Sequence, residues 1–107
     1  EQESAAFWPV YDEYERALTA VMDRYSRLIS DYVDRFDRGD LSNEYANDLL
    51  DEYFAIRQER LDVRRAFMPK FKAILPSLKV AQLYQLENKV NAEVDIQLAM
   101  AIPLISE

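Results

Sequence analysis

The sequence predicts an all-α protein built of three long antiparallel helices, and three observations lead there. Apolar residues recur at three- and four-residue spacing through most of the chain, a single glycine stands among 107 residues, and the four prolines fall where helices would begin, bend or stop. A turn-rich β fold uses far more glycine than this. Half of the residues are apolar, which is too many for an obligately disordered segment even beside 31% charge. The length suits one small domain.

Helix 1 is predicted over about residues 9 to 38. Pro9 fits a first helical turn, where its missing N–H is one of the donors left unpaired in any case. Tyr11, Tyr14, Leu18, Val21, Tyr25, Leu28 and Tyr32 then alternate three and four apart, and Val10, Met22, Ile29, Val33 and Phe36 widen the stripe. Asp12 with Arg16, Asp23 with Arg27, Asp31 with Arg35 and Asp34 with Arg38 are acid-first pairs four residues apart, which mark the solvated back of the helix. Gly39 closes it, because glycine enters the left-handed region most freely.

Helix 2 is predicted over about 43 to 75. Ser42 is a good N-cap, and Glu44 sits at the positive end of the helix dipole. Ala46, Leu49, Tyr53, Ile56, Val63, Phe67, Phe71 and Ile74 form its seam, with Leu50, Phe54 and Leu61 alongside and Arg60 standing where the seam expects an apolar residue. Pro69 lies within this run. It removes a backbone donor and crowds the preceding turn, so the central helix is expected to kink near Ala66, or else to break. Helix 3, about 76 to 102, opens at Pro76 and stops at Pro103. Val80, Leu83, Leu86, Val90, Val94, Leu98 and Ala101 share one of its faces, broadened by Tyr84, Ile96, Met100 and Ile102. Tight connections make sequence neighbours antiparallel.

Composition closes most catalytic chemistry. With no Cys and no His the chain has no thiol or imidazole nucleophile, no disulfide, and no sulfur or nitrogen ligand for zinc. The turn between helices 1 and 2 collects Asp34, Asp37, Gly39, Asp40 and Glu44, but placing Gly39 at the glycine of an EF-hand loop puts Phe36 and Arg38 at ligand positions and Tyr45 where the bidentate Glu belongs. An acidic interhelical turn is the better reading, and neither a metal, a cofactor nor an enzymatic activity is expected. A net charge of −7 argues against nucleic acid and anionic lipid as partners. No apolar run approaches the roughly 20 residues that span a bilayer, so no membrane insertion is expected. The sequence opens at Glu1 without an initiator Met, as an exported chain stripped of its signal peptide would, and as a chain trimmed for expression would.

Charge is divided unevenly. Residues 1–52 hold 14 acids and 5 bases, whereas residues 53–107 hold 6 acids and 8 bases. Between 57 and 79 the bases Arg57, Arg60, Arg64, Arg65, Lys70, Lys72 and Lys79 meet only Glu59 and Asp62. Two readings are open. Paired internally, Arg64 falls near Glu15 or Glu87 and Arg57 near Asp23, while the bases late in helix 2 answer its negative pole. Alternatively, they form a surface offered to an acidic partner. The seven tyrosines and five phenylalanines are expected to be core and near-core packing, since a tyrosine can bury its ring and keep its hydroxyl wet. Any apolar face that splayed helices leave over would be covered by a partner or a second copy.

Leu41-Ser42-Asn43-Glu44-Tyr45 and Leu75-Pro76-Ser77-Leu78-Lys79 place a leucine before each helix start, 34 residues apart, with Ser42 in a threonine's place and no glutamine in either. Together with the exported-type N-terminus, the long antiparallel helices and the basic stretch in the central helix, these segments resemble the Leu-Thr-x-x-Gln helix starts of small periplasmic all-helical proteins of the Spy/CpxP type. The segments Phe67 to Leu75, Leu83-Tyr84-Gln85-Leu86-Glu87-Asn88-Lys89 and Ile102-Pro103-Leu104-Ile105 are similar to those of uncharacterised exported helical proteins of proteobacteria. The resemblance covers most of residues 40 to 105. It implies a non-catalytic periplasmic protein, a curved and often homodimeric cradle that binds unfolded clients or a sensor domain without ATP, as a chaperone or stress-signalling adaptor. On that footing Arg57, Arg60, Arg64, Arg65 and Lys72 would attract acidic clients, and Phe67, Met68 and Phe71 would supply apolar contact. The alternative expectation is a structural protein whose apolar stripe serves self-association alone.

Overall fold

The computed structural model describes residues 2–105, with side chains from residue 5 onward. All regular structure among these residues is helical: α1 (Gln2–Asp37), α2 (Asn43–Lys72) and α3 (Ser77–Ala101). The fold is all-α, as the periodicity and the scarcity of glycine predict. Ion pairs fix the directions of the rods. Glu13 meets Lys70 while Arg24 meets Glu52 and Glu59, so α1 and α2 run antiparallel. Arg64 meets Glu87 while Arg60 meets Asp95, so α3 reverses direction again. The three lie side by side in a body of 56 × 22 × 17 Å.

Two helix ends differ from the sequence expectation. Because α1 already runs from Gln2, Pro9 lies inside the helix rather than at its first turn. The proline removes one backbone bond, and Phe7 offsets the loss by stacking on Tyr11 and reaching Phe71 of α2. α2 passes through Pro69 without a break but stops at Lys72, short of Leu75. Pro76 supplies the reason: it has no N–H to give the Lys72 carbonyl, and it disfavours helical backbone at Leu75. The chain closes instead with the Ala73 N–H on the Pro69 carbonyl and the Ile74 and Leu75 N–H groups on the Phe71 carbonyl.

The α1–α2 turn is built as its residues dictate. Gly39 takes a φ of 66°, and the Asp40 and Gly39 N–H groups donate back to the carbonyls of Arg35 and Phe36, a Schellman closure. Ser42 Oγ then accepts the Tyr45 N–H at 3.1 Å and caps α2.

Tyr14, Phe67, Phe71 and Val80 are buried together where α2 turns into α3, and Phe7, Val10, Leu18, Val63, Leu75, Leu83 and Tyr84 close over them. Val21, Ile56 and Tyr32 carry buried contact on toward the α1–α2 turn. Among the described residues no Cα of α3 comes within 8 Å of one in α1. Contact across that gap is left to long side chains. The Tyr14 hydroxyl donates to Glu87, the Tyr14 and Tyr84 rings lie 6.2 Å apart, and the Tyr32 hydroxyl donates to the Pro103 carbonyl at 2.6 Å. The wide spacing gives the tyrosines their work, and it leaves Leu86, Val90 and Val94 of the expected α3 seam exposed.

Candidate partner-binding face

α2 carries two stripes rather than one. Ile56, Phe67 and Phe71 are buried on its inner side. At about 3.6 residues per turn, Leu50, Phe54, Arg57, Leu61, Arg65, Met68 and Lys72 fall within one sector of about 80° on the outer side, again at three- and four-residue steps. Leu50, Phe54, Leu61 and Met68 are all exposed, Phe54 by 62%. From Phe54 to Lys72 apolar and basic side chains therefore alternate along about 27 Å of helix. On its α3 side the stripe borders a groove of about 570 Å³, lined by Phe54, Arg57, Arg60, Leu61 and Arg64 opposite Asn88, Asn91 and Asp95.

The arginines of this face differ in their commitments. Arg64 is fully engaged: Nε donates to Glu87 Oε1 at 3.1 Å and Nη2 to Asn88 Oδ1 at 2.5 Å, with the guanidinium over the Tyr84 ring. Arg60 reaches Asp95 only at 3.7 Å. Arg57 lies 5.4 Å over the Tyr53 ring and donates to its hydroxyl at 3.1 Å. It has no carboxylate partner among the described residues, and neither do the exposed Arg65 and Lys72. Asn91 Nδ2, within the groove, is buried without an acceptor. Donors thus outnumber acceptors there, and the arrangement suits a ligand that brings carboxylates.

Internal pairing accounts for part of the basic stretch. Arg64 pairs with Glu87 rather than Glu15, and no Arg57–Asp23 pair forms. Two acids of α2, Glu52 and Glu59, are answered from α1 instead. Arg24 donates to both oxygens of Glu52, at 2.9 and 2.7 Å, and also meets Glu59. This bidentate hydrogen bonding, with the Arg24 charge behind it, holds the Glu52 carboxyl below its ordinary range.

Two of the apolar residues expected to face a partner are corrected here. Phe67 is 8% exposed and Phe71 0%, their rings 5.2 and 5.4 Å from that of Tyr14, so both belong to the core. Met68, one position on from Phe67 and on the outer side, remains exposed. Phe54 and Leu61 take the place of the two phenylalanines on the outer face. The sequence signal for them is the three-four spacing that starts at Leu50, parallel to the inner seam and masked by it.

Among the described residues no group of carboxylates is placed to hold a metal ion, and no helix is long and apolar enough to cross a membrane. Compared with protein-family models, with curated proteins and with solved structures, the chain finds no match in any of the three.

Proposed function

We propose that the chain is a non-catalytic binding protein that grips acidic amphipathic segments of other proteins along the outer stripe of α2, as a periplasmic, ATP-independent chaperone or stress-signalling adaptor of the Spy/CpxP type. One observation carries the reading. Exposed Phe54 and Leu61 alternate with Arg57 and Arg65, neither of which has a carboxylate partner among the described residues. The apolar side chains offer attraction in proportion to area, and the basic ones select acidic sequence and speed encounter. A second copy of α2 is a poor occupant of the same stripe. Laid antiparallel about Leu61, it sets Arg57 against Arg65, like charge facing like charge. An unfolded acidic client, or the acidic face of a sensor domain, meets no such conflict. The periplasmic location rests on the sequence resemblance alone.

The purified chain is expected to slow aggregation of an unfolded acidic client at an equimolar ratio. Arg57→Glu combined with Arg65→Glu is expected to weaken client affinity by about tenfold, equivalent to ~1.4 kcal/mol. Aggregation curves that coincide with and without the protein reject the chaperone form.

A second reading is favoured by Leu86, Val90 and Val94, an exposed apolar row on α3. It has the protein associate with its own copy through that helix, as a homodimer or a structural element. Ultracentrifugation of the unaltered chain and of Val90→Glu checks it, and a monomer at high micromolar concentration rejects it.

A further inference from the structure

A second groove lies at the other end of the molecule, beside the α1–α2 turn. Three tyrosines, Tyr25 and Tyr32 of α1 and Tyr53 of α2, wall it together with Leu50 and with the tail that follows α3, and it measures about 620 Å³. That is within the usual range for ligand sites, ~300–1,000 Å³. No charged side chain lines it, although charged residues make up 31% of the chain.

The tail already displays the chemistry this groove accepts. Ile102 has extended backbone, φ −91° and ψ 118°, as a residue before proline prefers. The Tyr32 hydroxyl donates to the Pro103 carbonyl at 2.6 Å. Yet Leu104 is 88% exposed and Leu50, across the groove, 54%. The tail holds one edge and leaves the rest open.

A second α1 tyrosine lines the groove farther along. The Tyr25 ring lies 6.3 Å from that of Tyr53, and its hydroxyl makes no hydrogen bond among the described residues. Tyr25 and Tyr32 are seven residues apart on α1, about 10.5 Å at a rise of about 1.5 Å per residue. A polyproline II strand repeats every three residues, about 9 Å, so its carbonyls three apart point the same way at nearly that spacing. Such strands have no internal hydrogen bonds and bind in aromatic-lined grooves with little entropy to lose.

We propose that this tyrosine-walled groove binds an extended, uncharged, proline-containing peptide segment in the polyproline II conformation, with the chain's own Ile102–Ile105 tail as a built-in partial occupant. The site shares Leu50 with the α2 stripe but none of the stripe's basic residues lines it, and it does not depend on them.

The test uses a capped, fluorescently labelled peptide, Ala-Ile-Pro-Leu-Ile-Pro, and a version with alanine at both prolines, titrated into the full chain and followed by anisotropy. Saturable binding is expected, weaker by about fivefold when Tyr25→Phe removes the free hydroxyl or when the prolines are replaced. Leu50→Asp is expected to abolish binding, and Pro103→Ala, which loosens the resident tail, to strengthen it severalfold. Arg65→Glu, on the α2 stripe but outside the groove lining, is expected to bind this peptide as the unaltered chain does, which separates failure here from failure of the α2 reading. Absence of saturation with both the full chain and Pro103→Ala overturns the proposal. So does binding unchanged by both Tyr25→Phe and Leu50→Asp, or lost with Arg65→Glu. A dimer that Pro103→Ala dissociates, its monomer binding no peptide, assigns the groove to a second copy's tail and overturns the proposal too.

Discussion

Tyr14 stands on α1 with its ring fully buried against Phe67 and Phe71 of α2, while its hydroxyl donates to Glu87 of α3. Glu87 Oε1 also accepts from Arg64 at 3.1 Å, so a phenol, a carboxylate and a guanidinium form one chain across the three helices. Burial first, and the bond to Glu87 second, hold the Tyr14 hydroxyl protonated far above its ordinary range. Removing it deletes one donor from a carboxylate whose side chain is only 13% exposed. Tyr14→Phe is therefore expected to lower stability by about 1.5–3 kcal/mol, the scale for a hydrogen bond to a charged group. Urea denaturation measures it, and coincident midpoints would show that the bond adds nothing. Tyrosine packing is legible in the sequence from the stripe alone. The reach from Tyr14 to Glu87 is not, because periodicity says which side of a helix is apolar and nothing about how far away the neighbour stands.

At the scale of the element, the helix boundaries with a local chemical cause were readable and those decided by packing were not. Gly39 and Ser42 act where the sequence puts them, one in the left-handed region and one with its hydroxyl on the Tyr45 N–H. Pro9 was misleading because its penalty is confined to one turn, and the Phe7 ring, packed on Tyr11 and Phe71, extends the helix past it. The two stripes of α2 show the same limit. Phe67 and Met68 are adjacent in sequence, and only the position of α1 decides that the first is buried and the second is not. The basic run was visible from composition; which of its members are spent internally depends on where Glu87 and Asp95 fall on α3. The cap gives the element its own measurement. Ser42→Ala is expected to destabilise the protein by about 1 kcal/mol, and Ser42→Gly by only a few tenths. In thermal melts the alanine variant should fall by roughly 4–8 °C for a domain of this size. Equal melting temperatures would mean that packing against α1, not the cap, sets where α2 begins.

The whole molecule has an unusual titration profile, and its stability should follow it. With no His, no side chain has an ordinary pKa in the neutral range, so stability is expected to form a plateau around pH 7. At its alkaline edge stand Tyr11, Tyr14, Tyr25, Tyr45 and Tyr84, all held protonated above the ordinary value of 10.0 with burial as the first cause, Tyr45 to about 12. Below pH 10 both the folded and unfolded chains keep these protons and the contribution is whole. Above it the unfolded chain ionises first, so stability falls as pH rises toward the folded values. Each tyrosinate also adds to a net charge that is already −7 at pH 7, and self-repulsion acts in the same direction. At the acid edge the sign reverses. Glu52, lowered by its hydrogen bonds to Arg24, contributes above the ordinary value of 4.5, and that contribution is lost as pH falls through its depressed value. Urea midpoints across the pH range should be flat in the middle and fall at both ends. On the alkaline side, tyrosinate absorbance should rise together with the loss of helical circular dichroism. Tyrosines that ionise completely near pH 10 while the helices persist would mean that the rings are wet, and that the three rods are not packed through them.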